Sequence, residues 1–321
     1  IQSAWPDANV VVSNQENIPK DILVADIFCG HSKVHFIDWK QVIDRGRLKW
    51  IQSSAAGLDH CLDHNVVESS ITVSGCSALF ANQVAEQTMA LLYGGLRKLR
   101  LFELARTKRE FVRLPTNELH GRKVGIIGFG GNGRRIAELL RPVVEQVWAT
   151  DHFNDFKIPS YVHCLPSNQA ECLFSNCDTI IVTLPLNSKT DQLVNSEMFS
   201  KLSDGSIFIN VARGRVVNQF DLESAIHSGK IGFAGLDVVD PEPLPIDSPL
   251  WDHDNVLITP HVGAQSATRV PLTVELFCEN IKRFREGNRL VNEVDKSLLF
   301  PHPRNRLTVE PSGNIIYPTD Q

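Results

Sequence analysis

The sequence of 321 residues has no excess of positive charge and no long apolar run. It contains 32 Lys and Arg against 37 Asp and Glu, and its net charge of −5 argues against nucleic acid or an anionic membrane as the main partner. No apolar stretch is long enough to cross a bilayer, and the opening segment, Ile1-Gln-Ser-Ala-Trp-Pro6, is unlike a signal peptide. We therefore expect a cytoplasmic protein. Because the chain begins with Ile rather than Met, we also expect that a few residues at its start are missing or processed.

Cysteines are few and scattered, at positions 29, 61, 76, 164, 172, 177 and 278. They form no Cys-x-x-Cys pair, and their number is odd. This pattern predicts reduced thiols rather than a disulfide framework, and it predicts no metal site.

Length and hydrophobic patterning predict two domains of the α/β class. A chain of this length exceeds the usual size of a single core, and 42% of its residues are apolar. Helical patterns separate short apolar runs, and the longest helical pattern covers 82–106. Strands are predicted at 22–28, 48–52, 71–74, 123–127, 146–150, 179–183, 206–210, 232–236 and 256–259, and further helices at 196–202, 218–228 and 270–285. Such alternation is typical of doubly wound parallel sheets.

The end of the chain carries a weaker pattern. Apolar runs at 307–310 and 315–317 flank Pro311-Ser-Gly-Asn314. This arrangement predicts a β-hairpin, and a loosely ordered terminus is the alternative.

A glycine pattern between a predicted strand and a predicted helix indicates a dinucleotide site. The segment Gly128-Phe-Gly-Gly-Asn-Gly133 follows the apolar run 123–127 and precedes a helical pattern. In such a turn Gly128 permits the tight bend, Gly130 lets the backbone approach a pyrophosphate, and Gly133 lets helix and strand pack closely. Gly131 and Asn132 would add backbone N–H groups at the start of the helix. The alternative is an ordinary glycine-rich turn.

Asp151 follows the next predicted strand, at about the 20-residue interval expected for an acid that binds ribose hydroxyls. A carboxylate at that position repels a 2′-phosphate, so the sequence favours NAD (NADH) over NADP.

Three polar residues follow later strands, where ligands collect in open α/β sheets. They are Arg213, Glu242 and His261. Each could be an ordinary surface residue, but together they suit hydride transfer to a 2-keto acid. Arg213 can bind a carboxylate with two hydrogen bonds, and His261 can donate or accept the proton. Glu242 can fix the tautomer of the ring and stabilise its charged form.

These segments resemble the D-isomer-specific 2-hydroxyacid dehydrogenases over nearly the whole chain up to Lys296. The resemblance rests on the glycine turn with Asp151 and on five further segments: Gly57-Leu-Asp59, Ala81-Asn-Gln-Val-Ala-Glu86, Val211-Ala-Arg-Gly-Arg215, Gly235-Leu-Asp-Val-Val-Asp-Pro-Glu-Pro-Leu244 and Asn255-Val-Leu-Ile-Thr-Pro-His-Val-Gly263. It implies a Rossmann NAD-binding domain (93–270) inserted into a flavodoxin-like substrate domain (1–92 and 271–321). It also implies a homodimer and a cleft between the domains that closes on the substrate.

The resemblance also implies residue roles. Arg213 would bind the substrate carboxylate, His261 would be the general acid/base and Glu242 its partner. The backbone of Ala56 and Gly57 would meet the same carboxylate. Further cofactor contacts would come from Val84 at the nicotinamide ring, from Asp237 at its carboxamide, and from Thr183, Pro185 and Val211.

Branches of the family differ at particular residues, and these differences narrow the range of expected substrates. Formate-oxidising relatives carry Gln where this chain has Glu242, so formate is disfavoured. Phosphoglycerate-oxidising relatives need cations, but the loop 52–57 has no Lys or Arg. Small 2-keto acids such as glyoxylate or hydroxypyruvate fit best. Two alternatives stay open, namely an enzyme like D-3-phosphoglycerate dehydrogenase and an NAD-sensing scaffold like the C-terminal-binding-protein corepressors.

Overall fold

The computed structural model describes residues 1–32 and 36–319. The chain divides into two compact units: a terminal unit, Ile1–Phe80 with Ser266–Gln321, and a central unit, Ala81–Gln265. The α/β class, with a large and a smaller parallel sheet, is as predicted. The domain bounds that the resemblance implies, 1–92 with 271–321 and 93–270, stay predictions.

The first part of the terminal unit forms a three-stranded parallel sheet in the order β1-β2-β3. Its strands are β1 (Ile27–Gly30), β2 (Trp50–Ser53) and β3 (Thr72–Ser74), and its helices are α1 (Ile18–Asp21), α2 (Trp39–Arg45) and α3 (His64–Glu68). The strands predicted at 48–52 and 71–74 are confirmed.

The strand predicted at 22–28 is wrong in its first half. Pro19 lies in the first turn of α1, and Ile22–Val24 continues it as a 3₁₀ helix. Ile22 is buried in this helical conformation, so its apolar character serves helix packing, and the strand begins only at Ile27.

The central unit forms a seven-stranded parallel sheet in the order β10-β9-β8-β7-β4-β5-β6. Its strands are β4 (Lys123–Ile127), β5 (Gln146–Asp151), β6 (Val162–Pro166), β7 (Thr179–Val182), β8 (Ser206–Asn210), β9 (Ile231–Leu236) and β10 (Val256–Ile258). Read from β6, this is the Rossmann order with one strand added, and the order reverses direction between β4 and β7.

The helices of this unit are α4 (Ala81–Leu96), α5 (Leu99–Thr107), α6 (Gly131–Leu140), α7 (Glu171–Asn176), α8 (Ser196–Ser200) and α9 (Gln219–His227). Strands β7 and β8 are buried along their whole length, as expected for a sheet covered on both faces. One core cluster includes Leu91, Ile126 and Ile136, and a second includes Phe174 and Phe208.

One prediction in the central unit needs correction, and one strand was not predicted. The single helix predicted over 82–106 is two helices, because Lys98 between them adopts φ 53°. α4 buries Leu92 and Leu96, whereas every residue of α5 is at least partly exposed. Leucines recur at helical spacing on both sides of Lys98, so the sequence pattern did not indicate where one helix ends and the next begins. Strand β6 was not predicted, since it is a partly exposed edge strand that ends at Pro166.

The chain returns to the terminal unit through α10 (Arg269–Glu286). Two short antiparallel pairs follow: β11 (Val294–Asp295) with β12 (Phe300–Pro301), and β13 (Thr308–Val309) with β14 (Ile315–Ile316). The predicted long helix and the predicted terminal hairpin are both confirmed.

Buried amides connect this last segment to the small sheet. Asn292 is fully buried, and its Nδ2 donates to the carbonyls of Gly75 (3.0 Å) and Ser77 (2.8 Å) just beyond β3. Its Oδ1 accepts from the N–H of Leu307 at 3.2 Å. Asn280 of α10 likewise donates to Gln52 of β2 at 2.9 Å. Hydrogen bonds of buried, uncharged amides therefore hold the last segment against the small sheet, in addition to apolar packing.

Candidate active site

Three loops at the carboxyl edge of β8, β9 and β10 bring the predicted catalytic side chains together. These strands are parallel neighbours, so the loops that follow them leave from the same edge. Arg213 follows β8, Glu242 follows β9, and His261 follows β10. All three residues belong to the central unit.

His261 contacts both of the other side chains. Its Nδ1 lies 2.9 Å from Glu242 Oε2, and its Nε2 lies 3.5 Å from Arg213 Nη1. With the ionised carboxylate as acceptor, Nδ1 carries the proton in this pair, and Nε2 is the nitrogen on the Arg213 side. Glu242 Oε1 also accepts from the N–H of Val239 at 3.3 Å.

The His261–Glu242 pair stands partly in solvent, with side chains 43% and 38% exposed. Burial by itself would raise the pKa of Glu242, but the hydrogen bond from His261, the attraction of His261 and Arg213 and the N–H of Val239 outweigh it. The pKa of Glu242 therefore lies below its ordinary value, and the carboxylate stays ionised at neutral pH.

The loop that carries Arg213 is fixed by the last residue of β8. Asn210 is buried, its Oδ1 accepts from the N–H of Ala212 at 3.0 Å, and its Nδ2 donates to the carbonyl of Arg213 at 3.1 Å. Gly214 follows, and a Cβ there would lie 1.8 Å from the carbonyl oxygen of Val239. Only glycine permits this approach, which holds the loops after β8 and β9 against each other.

The loop that carries His261 is held by Asp237, the residue directly after β9. His261 adopts φ 53°, and its N–H donates to the Asp237 carbonyl at 2.8 Å. The Asp237 carboxylate accepts from the N–H groups of Val262 (3.0 Å) and Gly263 (2.8 Å) and from the hydroxyl of Thr259 (2.6 Å). The predicted contact of Asp237 with the nicotinamide carboxamide stays a prediction.

The glycine turn has the shape that a dinucleotide needs. Gly128 adopts φ 96° between β4 and α6, and a Cβ on Gly133 would lie 2.3 Å from the Gly128 carbonyl oxygen. α6 begins at Gly131, followed by Asn132, and its capping residue is Gly130, which has no side chain. The first N–H groups of the helix are thus presented without side-chain bulk, which fits a pyrophosphate.

The other predicted cofactor residues of the central unit surround the same sheet edge. Asp151 ends β5, and its Oδ1 accepts from the N–H of Phe153 at 2.8 Å. Thr183 follows β7, and its hydroxyl donates to the Gly128 carbonyl at 2.5 Å. Pro185 and Val211 lie in the loops after β7 and β8, and Val84 is buried on α4.

Ala56 and Gly57 lie in the terminal unit, in the loop after β2. Ser53 Oγ accepts from the N–H of Ala55 at 3.0 Å, and the Ala55 carbonyl accepts from the N–H of Cys76 at 2.9 Å. These bonds shape the backbone of the loop, and the predicted contact of Ala56 and Gly57 with a substrate stays a prediction.

The site depends on residues that the sequence did not reveal. Asn210 and Thr259 stand at or next to strand ends, where a polar residue after an apolar run is a usable signal. Gln87 of α4, which donates to Thr259 at 2.9 Å, has no local signal because its partner lies 172 positions away.

Two fully buried cysteines are unreactive, and the described residues form no metal-binding group. Burial raises the pKa of Cys61 and of Cys76 to about 12, which leaves both as protonated thiols. In the described ranges 1–32 and 36–319, no group of three His, Cys, Asp or Glu side chains could hold a metal ion. Nor does any helix of these residues combine the length and apolar character needed to cross a bilayer.

Comparison with known proteins gives matches along most of the chain. The sequence model of the NAD-binding domain of D-isomer specific 2-hydroxyacid dehydrogenases matches residues 89–263. An uncharacterized protein from the proB 3′ region of Corynebacterium melassecola is 34% identical over 297 residues, which are 91% of this chain and 95% of that protein.

Solved structures are similar over both units of the chain. A D-isomer specific 2-hydroxyacid dehydrogenase from Xanthobacter autotrophicus, in complex with NADPH and MES, is 26% identical with a TM-score of 0.75, covering 92% of this chain and 93% of that one. An NADPH-dependent glyoxylate/hydroxypyruvate reductase from Sinorhizobium meliloti, with NADP and sulfate, is 27% identical with a TM-score of 0.77 and the same coverage.

Proposed function

Because the chain belongs to the D-isomer specific 2-hydroxyacid dehydrogenase family, we propose that it interconverts a small 2-keto acid and the D-2-hydroxy acid. The observation that carries this proposal is the contact of His261 with Glu242 at 2.9 Å and with Arg213 at 3.5 Å. A proton donor, its orienting carboxylate and a carboxylate-binding cation are thus within reach of one small substrate.

In the reductive direction the three residues have different tasks. Arg213 binds the substrate carboxylate and polarises the neighbouring ketone. A nicotinamide dinucleotide, when bound, supplies the hydride. The ketone carbon accepts that hydride, the C=O π bond breaks, and the carbonyl oxygen takes the proton from His261 Nε2. Glu242 holds Nδ1–H throughout and stabilises the charged ring before transfer.

For the cofactor we propose NAD(H). Asp151 ends β5 at the ribose-binding position, and its carboxylate would repel a 2′-phosphate. The two solved relatives described above were bound to NADPH and NADP, which makes NADP(H) the second candidate. Asp151→Ala should erode the ratio of kcat/KM with NADH to that with NADPH. An unchanged ratio would place the selecting residue elsewhere.

For the substrate we propose glyoxylate or hydroxypyruvate. Glu242 rather than Gln beside His261 suits a reaction that moves a proton, which formate oxidation does not require. The similarity to a glyoxylate/hydroxypyruvate reductase supports the same class. A panel of 2-keto acids with NADH and NADPH, scored by kcat/KM and by the configuration of the product, tests this. Cofactor binding with negligible turnover of every 2-keto acid would favour the scaffold alternative.

We further propose a cytoplasmic homodimer. All seven cysteines are unpaired thiols, as suits a reducing compartment. α5 exposes 58% of Leu99 and 43% of Leu104, and Phe111 beyond it is 97% exposed, which provides apolar surface for a second copy. Light scattering should give twice the chain mass, and a monomer at micromolar concentration would refute the dimer.

A further inference from the structure

We propose that Gln87 and Thr259 are positioning residues that hold His261 at a fixed position relative to α4. This inference rests on the proposed function, since it assigns the proton transfer to His261. These two side chains would orient the proton donor, although the hydrogen bonds of the His261 ring go to Glu242 and Arg213.

A continuous series of hydrogen bonds runs from α4 to the loop that carries His261. Gln87 Nε2 donates to Thr259 Oγ1 at 2.9 Å, and Thr259 Oγ1 donates to Asp237 Oδ1 at 2.6 Å. A hydroxyl has a single proton, so this arrangement orients Thr259 in one way only. The same carboxylate accepts the N–H groups of Val262 and Gly263, the two residues after His261.

The loop needs this support because its conformation is unfavourable. His261 has φ 53°, a left-handed conformation that is unfavourable for a residue with a side chain and persists only when the surroundings enforce it. Asp237 is 3% exposed, so its oxygens depend on protein donors for their hydrogen bonds. Without the Thr259 hydroxyl, the carboxylate would lose one of its donors and the loop would lose its attachment to α4.

α4 also carries the residue expected beside the nicotinamide ring. Val84 and Gln87 are three positions apart on this helix, so they lie on the same face. Reduction of a ketone needs hydride at carbon and a proton at the adjacent oxygen, so both donors must be held to a fraction of an ångström. The series from Gln87 to Asp237 ties the proton donor to the helix that borders the hydride donor.

The test compares Thr259→Val, which removes the hydroxyl while keeping the shape, with Thr259→Ser, which keeps the hydroxyl. We expect kcat for keto-acid reduction to fall about tenfold in Thr259→Val, because misplaced groups react slowly. The solvent deuterium isotope effect on kcat should rise, since proton transfer becomes limiting. Thr259→Ser should restore both values. The NADH dissociation constant should stay within about twofold throughout, because these substitutions leave the glycine turn and Asp151, the proposed pyrophosphate and ribose sites, in place.

Gln87→Leu is the second variant and Thr273→Val is the control. Gln87→Leu should lower kcat about threefold with the same rise in the isotope effect, because it removes only the outermost bond. Thr273 donates to the carbonyl of Arg269 within its own helix, so Thr273→Val removes a comparable hydroxyl and should leave kcat unchanged. Normal kcat and isotope effect in Thr259→Val, or in Gln87→Leu if the first variant fails to fold, would overturn the proposal.

An NMR measurement that needs no enzymatic turnover distinguishes a failure of this inference from a failure of the proposed function. In protein labelled with ¹⁵N-histidine, the Nδ1–H resonance of His261, identified by its loss in His261→Gln, should disappear or broaden in Thr259→Val and persist in Thr259→Ser. If no 2-keto acid is turned over, the proposed function fails. The positioning role is then tested by this resonance alone, and an unchanged resonance in Thr259→Val would refute it.

Discussion

The loop after β10 in the central unit is held by a buried carboxylate, whereas the loop after β3 in the terminal unit is held by a buried amide. Asp237 accepts two backbone N–H groups and a hydroxyl, and it supports side chains that stand partly in solvent. Asn292 donates to two backbone carbonyls and accepts from one N–H, and it is fully enclosed.

The difference follows from what each loop has to do. The central loop presents the groups that are proposed to change charge during the reaction, and a fixed carboxylate nearby contributes to the local field. The terminal loop presents backbone, so a neutral amide can fix it without the desolvation cost of a charge. We therefore expect substitutions at the central site to affect turnover and substitutions in the amide network to affect stability.

The largest effect should come from His261→Gln, which removes the proposed proton donor. General acid–base catalysis contributes roughly 10²–10⁴-fold, so kcat should fall by that factor while the NADH dissociation constant stays near normal. Because His261 is partly exposed, the midpoint of thermal unfolding should barely change. Near-normal turnover in this variant would remove His261 from the mechanism.

Arg213→Lys should have the next largest effect. Lysine keeps the positive charge but loses the planar pair of donors that matches a carboxylate, so KM for the keto acid should rise roughly tenfold or more. Steady-state kinetics at saturating NADH gives this value. An unchanged KM would assign the carboxylate to another residue.

Asn292→Ala tests the terminal unit, where we expect an effect on stability rather than on turnover. It leaves the carbonyls of Gly75 and Ser77 and the N–H of Leu307 without their buried partner, so the free energy of unfolding should fall by about 3 kcal/mol or more. Chemical denaturation measures the change. Asn176→Ala, which removes an exposed amide bonded to the Cys172 carbonyl, is the matched control with little expected effect. Equal stability of the two variants would contradict the role of the amide network.

The smallest effect should be the contribution of Glu242 to stability. Folding lowers its pKa, so the contribution is complete above the ordinary value of 4.5 and is lost as the pH falls through the lower folded value. Because Glu242 is 38% exposed, the difference between wild type and Glu242→Gln should be about half a kcal/mol or less at pH 7 and should vanish near pH 2. A difference that persists at the lower pH would point to packing rather than charge.

Much of the central unit was predictable, because its signals are local. Buried parallel strands appear as continuous apolar runs, and the glycine turn is dictated by backbone sterics within a few residues. The residues Arg213, Glu242 and His261 could be predicted as a group because chain order places each one after a strand. The break at Lys98 was missed because it does not interrupt the helical pattern of apolar residues. The edge strand β6 was missed because it is partly exposed and has no continuous apolar run.

The sequence by itself determined the α/β class, the glycine turn and the types of residue at the ends of the strands. The tertiary structure alone decided the 2.9 Å contact of His261 with Glu242, the bond from Gln87 to Thr259 and the enclosure of Asn292. The physical reason is that local sterics and hydrophobic periodicity act within a few residues. A hydrogen bond between positions 87 and 259, by contrast, exists only after the strands between them have taken their order in the sheet.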